Sequence, residues 1–475
     1  MAPKVHLISL GCSRNRVDSE VMLGSLTQQG WEISEEPSEA DAIVINTCGF
    51  IASAKEESID NILEAAEFRK QKPNLKVVVA GCLTQRYKTQ LAKGLPEVDL
   101  FIGTDEFPRI AELIQGNHVR GEIHAKRTNY LYTDSSPRVN TLAKHSAYVK
   151  VAEGCQHNCA FCIIPAIRGR LRSRPIVGVV SEVEALVKTG VKEINLIAQD
   201  LAAYGRDFNK HGQLLDLLKA LVKINGLEWI RPLYMYPENI SDEFLEFFAN
   251  EPKLVKYLDI PVQHASDSVL VRMNRGVTCT EIENTIRRVR ERIPGVAIRT
   301  SVMVGFPGET EKDFQELLAF VKRNKFRHLG CFTYSQEEGT VAGRMNDQIL
   351  EKIKVFRQNE IMQAQQGLSR QLLSEMVGRR FPILIEGPST ESELLWQGRL
   401  STQAPEVDGI VYMNDGPVKM GEIQTIAITD AHDYDLVGHV IASDEEVQET
   451  FRDSASSLKT QKRKFSTNTV ETLSR

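Results

Sequence analysis

The chain has 475 residues, 42% of them hydrophobic and 25% charged, a profile that fits about two to four globular domains with buried cores. A net charge of −5 argues against a protein that coats nucleic acid without sequence preference, and nothing resembles a membrane span. The opening MAPKVHLISLGCSRN has no small-residue cleavage site, so a cytoplasmic address is expected, where eight cysteines read as metal ligands or catalytic thiols before disulfides.

From Lys4 to about residue 116, short β-rich apolar runs alternate with amphipathic stretches: KVHLISL, SEVMLGSLTQQG, DAIVINT, SAKEESIDNILEAAEFRK and KVVVA. That alternation predicts βαβ units and a parallel sheet, hence an α/β domain over 4–116. Each of the three strands is followed at once by a cysteine: Cys12, Cys48 and Cys82. Ligands of open parallel sheets bind beyond the carboxyl ends of the strands, where these thiols would gather. Cysteine is also a common small buried residue, but that reading fits one such placement better than three.

Residues 117–143 lack periodicity and read as a linker. A second α/β series fills 144–345, with candidate strands AYVKVAE, KEINLIA, WIRPLYM, KYLDIPV, AIRTSVMV and HLGCFTY. Six βα repeats predict a curved, partial (β/α) barrel whose active residues stand at the carboxyl ends of the strands. Those ends carry the Cys155 loop, Gln199 and Asp200, Gln263 and His264, and Gly305-Phe306-Pro307-Gly308. A helical connection over 346–377 leads to a small all-β module at 378–442, read as a five-stranded barrel. Residues 443–475 are polar and read as a disordered tail, whose KRK run is a solvated terminus before it is a nucleic-acid contact.

The sequence EGCQHNCAFCIIP sets Cys155, Cys159 and Cys162 in a C-x3-C-x2-C spacing directly after the first barrel strand. Structural zinc wants four closed ligands, and no fourth lies nearby. Three thiolates on a four-iron cluster leave one iron open for substrate or cofactor. The loop resembles the signature of radical S-adenosylmethionine enzymes. The resemblance implies that the open iron chelates the amino and carboxylate groups of S-adenosylmethionine, and that an electron from the cluster splits it to a 5′-deoxyadenosyl radical. It also implies that Phe161, the aromatic residue before the last cysteine, lies against the adenine.

The order of parts over about residues 4 to 440 resembles the methylthiotransferase family: an amino-terminal domain with an auxiliary cluster, a radical barrel and a carboxyl-terminal TRAM module. SLGCSRNRVDSEVMLG, INTCGFIASAKEESID, AGCLTQRY, RGRLRSRP, QHASDSVLVRMNRG and APEVDGIVYMNDG look most like the RimO type, the ribosomal protein aspartate methylthiotransferases. Where that family usually reads G-C-P-K-N, this chain has Gly11-Cys12-Ser13-Arg14-Asn15, which keeps the cysteine and asparagine but loses the stiffness of proline. The resemblance implies two [4Fe-4S] clusters, an auxiliary one on Cys12, Cys48 and Cys82 and a radical one on Cys155, Cys159 and Cys162. It further implies two molecules of S-adenosylmethionine, a reducing electron donor, and methylthio transfer to the β-carbon of an aspartate in the small-subunit ribosomal protein twelve. A radical suits that carbon, whose C–H bond has no useful acidity beside an ionised carboxylate. No catalytic residue beyond the cluster ligands is assigned.

The rival within the family is the MiaB type, which modifies an adenosine of transfer RNA and should carry a basic TRAM face. Residues 378–440 hold four Arg or Lys and ten Asp or Glu, a balance of −6 that suits a basic ribosomal protein, so no direct transfer RNA substrate is expected. A solvated acidic surface would give the same count. A two-cluster electron carrier or scaffold is the alternative of another class, but it has no need of a six-repeat barrel. Arg168, Arg170, Arg172 and Arg174 face an anionic ligand or form barrel-rim ion pairs, with equal claims. Gln263 and Gly305 are S-adenosylmethionine contacts by position in the barrel. His157 reads as a loop residue and not an iron ligand, and Cys279 and Cys331 as structural.

Overall fold

The computed structural model describes residues 2–125, 130–208 and 213–441, so the polar tail at 443–475 and its KRK run lie outside the described residues. The chain divides into two units, Met1–Leu368 and Ser369–Arg475.

The first unit opens with a six-stranded sheet, parallel throughout, in the order Glu32–Ile33, Lys4–Ser9, Ala42–Thr47, Lys76–Gly81, Leu100–Ile102 and Glu122–His124. Ala42–Thr47 is buried at every position, as a central strand covered on both faces must be, and this is why AIVINT is nearly continuous in apolar residues. Apolar clusters cover the two faces. The last strand corrects the reading of 117–143 as a linker: Glu122–His124 pairs with Leu100–Ile102 and extends the sheet. Further on, Arg138 is nearly buried between Glu20 and Glu182 and the Val139 N–H donates to the Glu20 carbonyl, so residues 138–139 are packed against both the sheet domain and the barrel.

The second half of this unit is the expected partial barrel. Its six parallel strands form two ladders, Trp229–Pro232, Glu193–Ile197, Ser146–Lys150 and Tyr257–Asp259, Ala297–Val304, His328–Thr333, joined through an Ile230–Leu254 bridge. Amphipathic helices cover the outside, and their starts follow from local chemistry. Ser241 caps Asp242–Asn250, while Thr278 with Glu281 and Thr310 with Asp313 form reciprocal capping boxes for Cys279–Arg292 and Glu311–Asn324. The edge strand His328–Thr333 and the residues beside it are covered by the helix that begins at Glu351. Gln358 donates to the Cys331 carbonyl and Lys354 to that of Tyr334, both at 2.8 Å.

In the second unit, Arg380–Pro388, Trp396–Leu400, Val411–Met413, Leu436–Val440 and Ile423–Ala431 close into a five-stranded barrel around Ile383, Leu400, Val411, Ile426 and Leu436. Arg399 is buried in its wall and paired with Glu386 at 2.6 Å. Among the described residues no helix is long and apolar enough to cross a membrane.

Candidate metal centre

Cys12, Cys48 and Cys82 follow three adjacent strands of the sheet, Lys4–Ser9, Ala42–Thr47 and Lys76–Gly81, so the parallel topology brings the thiols to one edge. Close backbone approach completes the site. A Cβ on Gly11, whose φ is +91°, would lie 2.9 Å from Cys48 Cβ, and one on Gly49 would lie 2.9 Å from Leu83 N and 3.0 Å from the Cys82 carbonyl carbon. Asn15 staples the loops: its Nδ2 donates to the carbonyls of Leu10 and Thr47, each at 3.0 Å.

The three thiols feel one another's charge. Burial, then the neighbouring Cys82, pushes Cys48 up to about 12, and burial raises Cys82 despite Arg168. Burial also opposes ionisation of Cys12, yet Arg14, the Asn15 N–H and Arg168 outweigh it and hold this thiol below its ordinary value. Thiols that raise the cost of ionising a neighbour suit a multi-iron group that neutralises them. A single tetrahedral ion would draw sulfurs to about 3.8 Å of one another. Among the described residues only His118, Glu122 and His124 bring three ligand atoms within 4.8 Å, so neither cysteine triad is closed down to that spacing.

The second triad lies in the loop between Ala152–Glu153 and the short helix Ile164–Arg168. Backbone N–H groups already aim at its sulfurs, His157 N–H at Cys155 Sγ and Ile164 N–H at Cys162 Sγ, both at 3.4 Å. Such donors favour thiolate ligands. As apoprotein thiols, Cys155 and Cys162 are pushed by burial up to about 11 and about 12. The segment Met273–Arg275 pins the loop from outside: Met273 O accepts from Ala160 N–H at 2.8 Å, Asn274 Nδ2 donates to Asn158 O at 2.7 Å, and Arg275 reaches Cys159 Sγ at 3.8 Å. His157 is turned to Asp200, Nε2 to Oδ2 at 2.7 Å, and stacks on Tyr236 at 4.1 Å.

The proposed cofactor contacts separate. Phe161 is partly buried beside Ala160, Met273, Phe306 and Tyr334 at the barrel mouth. Gln263 holds a left-handed φ of 70° while its backbone pairs with the strand Ala297–Val304 through Val302, and its half-buried amide makes no hydrogen bond among the described residues. Gly305 is used otherwise. Its N–H donates to Glu309 Oε2 at 2.6 Å, and a Cβ there would lie 2.3 Å from Lys354 Cγ, so the peptide N–H is spent on the turn itself. Of the arginines, Arg168 and Arg174 are buried in ion pairs, Arg172 donates to the carbonyls of Arg168 and Arg170, and Arg170 is exposed.

What the sequence did not disclose is how the two triads are joined. Lys150 Nζ donates to Asp18 at 2.5 Å and Glu153 at 2.6 Å, and Arg168 Nη1 to Asp18 at 2.6 Å. Arg168 Nη2 reaches Asn15 Oδ1 at 2.6 Å and Cys82 Sγ at 3.2 Å, while Gln199 donates to Glu153 at 2.7 Å. Cys82 also packs with Phe50, Ile163 and Ile167, and Ile163 is the neighbour of Cys162. Cys82 of the first triad and Ile163 and Ile167, which follow the second, therefore meet in one small apolar patch beside a charge-balanced network. On the far side, Glu337 accepts from Lys55 and Arg86, each at 2.8 Å, so the sheet domain holds the barrel at both of its end strands.

Comparison with known proteins finds three family models along the chain. The family described as uncharacterized protein family UPF0004 matches residues 4–103, the radical SAM superfamily residues 149–321, and the TRAM domain residues 377–441. The chain is 47% identical to the ribosomal protein uS12 methylthiotransferase RimO of Anaeromyxobacter sp. (strain K), covering 94% of each chain. It is 49% identical to the protein of that name from Syntrophotalea carbinolica, over 93% of this chain and 98% of the relative. Among solved structures, the radical S-adenosylmethionine methyltransferase TsrM from Kitasatospora setae shares the fold, with a TM-score of 0.52 at 16% identity over 72% of this chain and 77% of that one. With a cysteine triad on each side of the domain junction, a TRAM barrel, and such identity over nearly the whole length, the chain belongs to the RimO family of radical SAM proteins.

Proposed function

We propose that the protein is a radical S-adenosylmethionine methylthiotransferase that adds a methylthio group to the β-carbon of an aspartate in ribosomal protein uS12. The observation that carries this reading is that Cys82, at the sheet edge, packs on Ile163 and Ile167, which directly follow the cysteine loop at the barrel mouth. Cys12, Cys48 and Cys82 would hold an auxiliary [4Fe-4S] cluster, and Cys155, Cys159 and Cys162 a second with one iron open to S-adenosylmethionine. When bound, these groups supply a one-electron reductant for the sulfonium and a sulfur to be methylated. The chain's own residues orient and enclose. N–H groups of His157 and Ile164 hold two sulfurs of the radical loop, and Arg275 approaches the third. Phe161 and the Gln263 amide, which has no partner among the described residues, would meet the cofactor at the mouth. The buried Lys150, Asp18, Glu153 and Arg168 set would limit access of bulk water at the junction, which protects a radical from quenching.

The acidic carboxyl-terminal module, −6 over residues 378–440, complements a basic ribosomal protein and would repel transfer RNA. The reading also places the protein in the cytoplasm with a reducing electron donor. The test is anaerobic incubation of the reconstituted enzyme, reductant and S-adenosylmethionine with either uS12 or hypomodified transfer RNA. A mass increase of one methylthio group on a uS12 aspartate, with 5′-deoxyadenosine released, is expected. Modification of the RNA alone would make the protein a MiaB-type enzyme, and no 5′-deoxyadenosine from a fully loaded protein would leave only a cluster carrier.

A further inference from the structure

Arg168 does more than balance charge. It ends the short helix Ile164–Arg168, which leaves the radical loop two residues after Cys162, and its side chain is 3% exposed. Lys150 already reaches both carboxylates of the network, Asp18 and Glu153. A second cation adds something different: the planar guanidinium puts Nη1 on Asp18 and turns Nη2 away from the carboxylates onto Asn15 Oδ1 and Cys82 Sγ. Only arginine has that fork, and a lysine ammonium cannot span both sides from one fixed stem. Asn15 in turn holds the carbonyls of Leu10 and Thr47, which lie beside the loops of Cys12 and Cys48. The other cation near this triad, Arg14, acts on a different sulfur: its charge lowers Cys12, while its Nη1 donates to the Ala198 carbonyl and its guanidinium lies over Tyr234.

We propose that Arg168 is a positioning residue that makes the auxiliary centre easier to reduce by donating to Cys82 Sγ, and that it ties this centre to the helix leaving the radical loop. The proposal rests on the assignment of Cys12, Cys48 and Cys82 as cluster ligands. A buried donor and a full positive charge beside a ligating sulfur stabilise the more negative, reduced state, so the reduction potential rises. Asp18 lies on the opposite side of the same guanidinium and acts with the opposite sign. The arrangement therefore fixes the potential through a residue whose position depends on the conformation of the radical loop.

The test uses full-length protein with Cys155→Ala, Cys159→Ala and Cys162→Ala, so that only the auxiliary triad remains, reconstituted without oxygen. Iron content is counted, and the potential is read by titration followed by electron paramagnetic resonance. Arg168→Gln is expected to lower the potential, Arg168→Lys to lower it less, and Asp18→Asn to leave it level or raise it. Asp18→Asn disturbs the same buried network without removing the donor to sulfur, so an equal fall in that variant would mean network disruption and overturn the proposal. A loaded Arg168→Gln protein with the parent potential would overturn it as well. Should Arg168→Gln fail to hold iron, the Lys variant decides by the same comparison. A parent that holds no cluster would overturn the ligand assignment and the proposal with it, whereas a loaded parent indifferent to Arg168 overturns the proposal alone.

Discussion

Lys150 and Asp18 form a buried ion pair, Nζ to Oδ1 at 2.5 Å, although 132 residues separate them in the chain. Lys150 ends the first barrel strand and Asp18 lies on the first helix of the sheet domain, so the pair is a direct bond between domains. Removing Lys150 leaves Asp18 and Glu153 with Arg168 as their shared cation, an uncompensated negative charge in a site with 4–5% side-chain exposure, which costs about 3–5 kcal/mol. Lys150→Met should therefore lower the unfolding free energy of the loaded protein by that order. The double variant Lys150→Met with Asp18→Asn should recover part of the loss. A double-mutant cycle in urea measures the coupling, and strict additivity would show that the two residues do not act as a pair.

The auxiliary triad depends on a glycine as much as on its cysteines. Gly11→Ala adds a Cβ 2.9 Å from Cys48 Cβ at a φ of +91°, a conformation alanine adopts at a cost of about 1–3 kcal/mol. The Cys12 and Cys48 loops must then separate, while the barrel triad is untouched. Iron per reconstituted chain should fall from about eight to about four, and cleavage of S-adenosylmethionine to 5′-deoxyadenosine should persist. Full iron loading of the variant would mean that the loops have slack the close approach does not suggest.

The grouping of the cysteines was legible in the sequence for a physical reason: Cys12, Cys48 and Cys82 each follow a strand of one parallel sheet, and Cys155, Cys159 and Cys162 share one loop. The barrel strands were legible because six apolar runs recur at βα intervals. Glu32–Ile33, Leu100–Ile102 and Glu122–His124 were not, because two or three residues are too few to show a period, and the last lies in a stretch without periodicity. The network that joins the triads was invisible for a different reason. Asn15 and Asp18 lie one helical turn apart, but their shared partner Arg168 comes from 150 residues further on, and nothing local marks an ion pair of that reach. Gly305 shows the converse. A glycine at a strand end looks like room for a ligand, whereas the neighbour that needs the room is Lys354, from a distant helix.

Glu337 should act as a clamp whose strength is insensitive to pH through the neutral range. Burial opposes its charge, but Lys55, Ser335 and Arg86 outweigh burial and hold the carboxyl below its usual value. A depressed carboxylate contributes stability that is fully present above the unfolded value of about 4.3 and is lost as pH falls through the lower folded one. Glu337→Gln should therefore speed hydrogen exchange in the helix Ala52–Glu67, which Glu337 holds through Lys55, by the same factor at about pH 6 and pH 8. A cost that varies across that range would mean another titrating group controls this contact.

Gln263 and Gly305 make opposite predictions although both stand at barrel strand ends. The Gln263 amide has no protein partner among the described residues, and its left-handed backbone is a strain kept in place by pairing with Val302. If that amide binds S-adenosylmethionine, Gln263→Ala loses one hydrogen bond, about 0.5–1.5 kcal/mol, which weakens cofactor binding several-fold while thermal stability holds. Gly305→Ala instead drives a methyl into Lys354 and disturbs the Glu309 turn, so its first effect is a lower melting temperature with no specific change in cofactor affinity. Calorimetric titration of S-adenosylmethionine beside thermal unfolding of both variants separates the two roles. Unchanged affinity in Gln263→Ala would remove this residue from the cofactor site.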